Sequence, residues 1–242
     1  MPEDDVWWIT APTPLPQWWV PLSTGLLALL VTVAAILPRV TWTRQIAFAF
    51  NVVGTIAHEF GHAVGGVVTG GGVYLIQVHT PHSGVTYSWF YSRFSNFVST
   101  FAGYALPPLA GLGAASLLAR GHAPMVLALT IAAMVLILFV TRDLITLVSV
   151  VTVGLAAVAA LYWGAEWVQH WIAYTETWLL LFSQITGVWF LVTRRIWGHD
   201  GSVVDDAEAL ADITVIPGVV WIAAWTGFIG WVLWNAVPLL WP

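Results

Sequence analysis

The chain reads as a series of apolar runs separated by short polar or Gly/Pro-bearing breaks. The first run, Trp18 to Leu37, is long enough to cross a bilayer as a helix and ends at Pro38-Arg39. The second, Ile46 to Val68, stops at Gly70-Gly71-Gly72, where helix propensity collapses. Further runs predict helices over 97–118, 124–140, 144–163, 171–192 and 218–240, about seven crossings in all. Gly103-Tyr104 and Pro107-Pro108 predict a kink or break in the 97–118 helix. Arg142-Asp143, between two runs, is expected to form a satisfied loop pair.

Residues 73–91 follow a different period. Val73, Leu75, Val85, Tyr87, Trp89 and Tyr91 alternate, and Pro81-His82-Ser83-Gly84 is a turn signal, which predicts a β-hairpin. Open strand edges cannot face lipid, so the hairpin belongs at the interface or inside a protein cavity. A polar stretch at 198–217 precedes the last run, with a helix predicted over Val203 to Ile213. The expected fold class is an all-α polytopic membrane protein with a small interfacial hairpin after the second helix. It is expected to be one integral domain over 1–242, with a core at about 46–217, an extra N-terminal span at 18–37 and a C-terminal span at 218–240.

Composition strengthens the membrane reading. The chain is 59% hydrophobic and 8% charged, where a soluble domain carries about 25% charged residues. Lysine is absent, and a net charge of −5 excludes a basic nucleic-acid surface. The absence of cysteine removes disulfides and thiolate ligands, so any metal must be held by His, Asp or Glu. Tryptophans at the ends of runs, among them Trp18, Trp19, Trp163, Trp167, Trp221 and Trp241, form the belt expected at membrane interfaces. The acidic start MPEDDVWWIT lacks the positive region of a signal peptide and is expected to be retained.

Candidate chemistry sits in the second run. His58-Glu59-Phe60-Gly61-His62 places two imidazoles four residues apart on one helix face, with Glu59 beside them. That is the H-E-x-x-H zinc hydrolase arrangement: two nitrogen ligands and a general base that acts on water. Ionisable residues inside an apolar span are expensive and need a partner or a function. Such a site needs a third protein ligand. Four predicted crossings separate the hairpin from the polar stretch, so both fall on one side of the membrane with the end of the HEFGH helix. Arg93, Arg142, Arg194 and Arg195 share that side, against Arg39, Arg44 and Arg120, which points to the cytoplasm.

The candidates for third ligand on that side are His79, His82, His199, Asp200, Asp205, Asp206, Glu208 and Asp212. On a helix over 203–213, Asp205, Glu208 and Asp212 form a solvated acidic face, and Asp205 completes an S-V-V-D capping pattern with Ser202. Asp206 stacks with Leu210 and Ile213 on the apolar face, where a carboxylate needs a partner. His79 and His82 flank the hairpin turn, and His122, His170 and His199 stand at span ends.

These features together resemble the site-2-protease family of intramembrane zinc metallopeptidases, in its compact bacterial B branch. The resemblance runs over roughly residues 50–220. It rests on HEFGHA followed by a Gly-bearing turn, on AGYALPPLAG at 102–111, and on DDAEALADITVIP at 205–217. It implies one zinc ion held by His58, His62 and, by position in the last motif, Asp206, with Glu59 as general base. It also implies an endopeptidase of membrane proteins or peptides, working within the lipid bilayer of a bacterial plasma membrane. The chain departs from the family in carrying Asp205 where the motif has serine, and in lacking the Leu-Asp-Gly motif and PDZ domain of other members. Two other readings use the same residues: a metal or proton transporter, and an inactive zinc-binding scaffold.

Overall fold

The computed structural model describes the backbone of residues 7–37, 41–80, 83–197 and 204–241. Side chains are described there too, except at 7–8, 41–51, 79, 80 and 83. In chain order the elements are α1 (Trp7–Thr10), α2 (Trp19–Ile36), α3 (Thr41–Val68), β1 (Gly72–Thr80), β2 (Ser83–Trp89), α4 (Arg93–Leu118), α5 (Ala123–Val140), α6 (Leu144–Trp163), α7 (Glu166–Trp197), α8 (Asp206–Thr214) and α9 (Gly218–Leu240). Among the described residues, six helices are long and apolar enough to cross a membrane: α2, α4, α5, α6, α7 and α9. With α3, 28 residues long and carrying HEFGH, the architecture agrees with about seven membrane helices and one small sheet.

Small residues let α3 and α4 approach closely. A Cβ at Gly61 would lie 2.6 Å from the Ala102 carbonyl oxygen, and one at Gly65 would lie 2.8 Å from that of Val98. Gly61 and Gly65 are four apart, the spacing by which backbones of membrane helices meet. Where α3 ends, Gly70 adopts φ +87°, a left-handed turn that glycine makes without steric cost.

Helix α4 corrects the expected break. It runs unbroken from Arg93 to Leu118 with Pro107 and Pro108 inside, and starts earlier than read because Ser92 caps it by accepting from the Ser95 N–H. Within a membrane bundle, neighbouring helices hold a proline-bearing helix in line despite the missing donors. Arg142 and Asp143 also differ from expectation. Arg142 donates to the carbonyls of Phe139 and Thr141, while Asp143 caps α6 by accepting from the Thr146 N–H. His170 is more than a span-end residue. It is buried, its Nε2 lies within hydrogen-bond distance of Thr13 Oγ1 at 3.2 Å, and its Nδ1 donates to the Glu166 carbonyl, tying the segment after α1 to α7.

The hairpin exists, formed by β1 and β2. Pairing joins Ile76 to Thr86 and Val78 to Gly84; Ile76 and Val78 are fully buried, and Val78 packs in a cluster with Ile56, Ile137 and Val150. The alternating residues noted in the sequence, including Val85, Tyr87, Trp89 and Tyr91, face outward. Outward apolar side chains are favourable beside lipid, and the inward face of β2 must stay small and polar because Glu59 lies against it. The outer edge of β1 meets the α5–α6 connection and the first turn of α6, through a bridge from Ile76 to Thr141 and a bond from the Val78 N–H to Thr146 Oγ1. Among the described residues, β2 pairs with no strand other than β1.

Helix α8 begins at Asp206. Asp205 is its N-cap, accepting from Ala207 and Glu208 while the Glu208 side chain receives the Asp205 N–H. The capping box is therefore Asp205/Glu208, not the Ser202/Asp205 pair expected; Ser202 lies outside the described residues. Ala207 and Leu210 are fully buried against a cluster containing Tyr104, Ile222 and Trp225. Burying a leucine contributes roughly 1.5–3 kcal/mol, which docks α8 on α4 and α9 and fixes the position of Asp206.

Candidate metal centre

At about 100° per residue, Thr55, His58, Glu59 and His62 share one face of α3. That face opens on a cavity of about 420 Å³, also lined by Thr86 of β2, Tyr104 of α4, Gln184 of α7 and Asp206 of α8. His58 Nε2 and His62 Nε2 stand 3.0 Å apart. Asp206 Oδ2 lies 3.1 Å from the first and 3.5 Å from the second. The structure thus brings together the three residues read as metal ligands, from elements almost 150 residues apart.

Each imidazole is oriented by its other nitrogen. His62 Nδ1 donates to the Ser99 carbonyl oxygen at 2.9 Å, and His58 Nδ1 pairs with Gln184 Oε1 at 3.2 Å. With both Nδ1 atoms so committed, both Nε2 lone pairs and a carboxylate oxygen point at one spot. Three acceptors facing one another repel unless a cation or proton lies between them. Separations of 3.0–3.5 Å match the edges of a tetrahedral shell with bonds of about 2.0–2.1 Å, as around zinc. The donor set of two imidazoles and one carboxylate fits that ion, and it leaves a position open on the cavity side.

Glu59 stands beside this group and outside it. It is buried, and Thr86 Oγ1 reaches both its Oε2 (2.7 Å) and its own carbonyl (3.0 Å). Gly84 makes room for it: a Cβ there would lie 2.6 Å from Glu59 Cγ. Gly103 does the same for the two imidazoles, since its Cβ would stand 2.5 Å from His62 Nε2 and 3.0 Å from His58 Cε1. Tyr104 then packs edge-on against His58, with ring centroids 4.7 Å apart, and stacks on Trp225 at 4.3 Å.

The two adjacent aspartates separate in role. Asp206 faces the imidazoles: burial alone would raise its carboxyl, but positive charge held between it and His62 and His58 keeps it well below the usual range. Asp205 faces away. It caps α8 and forms a two-pronged pair with Arg195, through Nη1 to Oδ2 and Nη2 to Oδ1. Burial would raise Asp205 also, yet the Arg195 hydrogen bond and the Glu208 backbone keep it lowered. Arg195, near the end of α7, so anchors the start of α8 one residue from Asp206.

Glu208 and Asp212, also weighed as ligands, stand outside the group of His58, His62 and Asp206. Glu208 closes the cap and Asp212 is exposed. The side chain of His79, and His82, His199 and Asp200 altogether, lie outside the described residues.

A family model described as Peptidase M50B-like matches residues 26–236. The chain belongs to this family. No curated protein and no solved structure matches it. M50B-like peptidases are membrane metallopeptidases, and M50 peptidases depend on zinc. The matched region runs from within α2 to within α9 and contains every residue of the centre.

Several residues of the M50B-like centre went unread in the sequence. Gln184 carried a signal, being an amide within an apolar span, which demands a buried partner. Gly103-Tyr104 signals a helix interruption in the sequence, whereas the glycine supplies space for the imidazoles. Thr86 and the Ser99 carbonyl carried no signal, because their role depends on which strand face and which turn of α4 meet α3. The polar cavity does not sit at Pro107-Pro108. It lies instead among α3, β2, α4, α7 and the start of α8, and Pro107 lines a different, apolar space.

Proposed function

We propose that this M50B-like peptidase is an intramembrane zinc endopeptidase, with His58, His62 and Asp206 as metal ligands and Glu59 as general base. The convergence of His58 Nε2, His62 Nε2 and Asp206 Oδ2 on one point carries the reading. A zinc ion held there would supply a Lewis acid for a peptide carbonyl and for water. Glu59 takes the proton of the attacking water and returns it to the leaving amine. Thr86 keeps the Glu59 carboxyl turned toward the cavity, and Gln184 and Ser99 fix the imidazoles in the tautomer that leaves Nε2 free. Gly84, Val85 and Thr86 line the same cavity. An extended substrate segment added to the unpaired edge of β2 would therefore lie beside Glu59, held by main-chain hydrogen bonds. A substrate helix must unwind to reach it, so the substrate is a membrane protein or peptide with an extended or breakable stretch. Arg93, Arg142 and Arg195 at the end of the bundle that carries the site support a cytoplasmic-facing centre in a cell membrane.

The test combines metal content with cleavage of a co-expressed membrane substrate captured by the Glu59→Gln protein. The purified chain should carry about one zinc. His58→Ala and Asp206→Ala should lose both metal and cleavage, while Asp205→Ala keeps the metal. Cleavage that persists in His58→Ala and Asp206→Ala would refute the assignment. Ion flux in liposomes that survives Glu59→Gln would favour a transporter instead.

A further inference from the structure

The face of α3 opposite the metal centre borders a second cavity. Val53, Ile56, Ala57, Phe60 and Val64 recur at helical spacing about 180° from His58 and His62. The cavity measures about 540 Å³ and lies among α3, α4, α5 and α7. Its walls are apolar except at Thr130, Glu176 and Thr177. Ala110, Gly113 and Leu129 on its rim are exposed, and they belong to membrane-crossing helices, so it opens toward lipid between α4 and α5. Its size, apolar walls and few polar groups are those of a small-molecule site.

Glu176 is the feature that calls for a ligand. It is buried within a membrane-crossing helix. Among the described residues its one hydrogen bond comes from Thr130 Oγ1 to Oε2, at 2.9 Å. None of the described lining residues is Lys, Arg or His. A carboxyl so placed marks a functional position in a membrane protein and lacks its natural complement. That complement is a base. An amine shares or takes the carboxyl proton, and either state pairs with the free oxygen through a charge-assisted bond about twice as strong as a neutral one. An alcohol offers only the neutral bond, and a hydrocarbon none.

We propose that this cavity is a binding site for an apolar amine entering from the lipid phase, with its hydrocarbon body against α3 and α4 and its nitrogen on Glu176. The site is separate from the metal centre, and occupancy is read without proteolysis, so it stands or falls independently of the proposed activity.

The experiment uses the full chain in lipid nanodiscs and a matched series of three probes: 1-adamantylamine, 1-adamantanol and adamantane. Radiolabelled amine should bind saturably at one site per chain. The alcohol should compete about tenfold more weakly, as expected for loss of a charge-assisted bond, and the hydrocarbon more weakly still. Glu176→Gln should weaken amine binding by a similar factor while leaving alcohol binding nearly unchanged. Size-exclusion behaviour and thermal unfolding check that this variant folds. If it does not, the ranking of the three probes on the native chain decides alone. Equal competition by amine and alcohol, or amine binding unaltered in a folded Glu176→Gln protein, would overturn the proposal.

Discussion

Helix α3 separates two carboxylates that look alike at short range. Glu59 and Glu176 are both buried, and each accepts a threonine hydroxyl, from Thr86 at 2.7 Å and from Thr130 at 2.9 Å. Their wider surroundings differ. Glu59 lines a polar cavity with two imidazoles and a second carboxylate held nearby by an arginine-anchored helix. Glu176 faces a cavity without another charged group among its described lining residues. One hydrogen bond therefore does not define a catalytic acid or base. The decisive property is what else the protein aims at the same space, and here one helix presents the candidate metal centre on one face and an apolar cavity on the other.

The strongest way to break this comparison is to neutralise each carboxylate in turn. Glu59→Gln should cut proteolysis about 10²–10⁴-fold, the usual worth of a general base, while zinc content stays at the native level. Glu176→Gln should cleave at close to the native rate. Substrate turnover and metal analysis on the same preparations check both. Equal losses in the two variants would mean that the faces are not independent.

A smaller effect tests the space that the polar face requires. Gly103→Ala should lower metal affinity by about 10–100-fold, the range seen when groups supporting metal ligands are disturbed, because its methyl meets both imidazoles. Competition with a chelator measures it. The matching change on the apolar side, Gly113→Ala, meets no heavy atom within 4 Å and should leave metal affinity unchanged.

Next in size is Thr86→Val, which keeps the shape but removes the hydroxyl on Glu59. Turnover should fall about tenfold, the equivalent of one hydrogen bond to a charged group, with KM less affected than kcat. Thr130→Val, its counterpart across α3, should leave turnover unaltered.

The smallest expected effect concerns the anchoring of α8. Asp205 has a lowered carboxyl in the folded chain, so its pairing with Arg195 stabilises the protein above the ordinary aspartate value of about 3.9 and is lost as pH falls below it. The native chain should exceed Asp205→Asn in stability at neutral pH by on the order of 1 kcal/mol. The two should converge on acidification below about pH 4. Thermal unfolding across pH checks the sign; a gap that widens in acid would contradict it.

By itself, the sequence determined the membrane class, the positions of the spans and the HEFGH face, because each rests on local period and composition. The face argument for Asp206 also belongs there: its spacing with Leu210 and Ile213 turns it toward the protein on α8 wherever that helix docks. The sequence pattern puts the cap at Ser202 with Asp205 as its partner, whereas Asp205 is itself the cap, because N-capping depends on where the backbone leaves the helix. Tertiary structure alone decided the rest. Period two revealed two strands but could not say which face turns inward, since lipid accepts the apolar side chains that a soluble protein would bury. Pro107-Pro108 signalled a break that packing in the bundle overrides. The Gly61–Ala102 and Gly65–Val98 contacts set the depth at which Ser99 meets His62. The docking of Ala207 and Leu210 brings Asp206 to within 3.1 Å of His58. Those are contacts between segments far apart in the chain, and no local pattern encodes the distance between them.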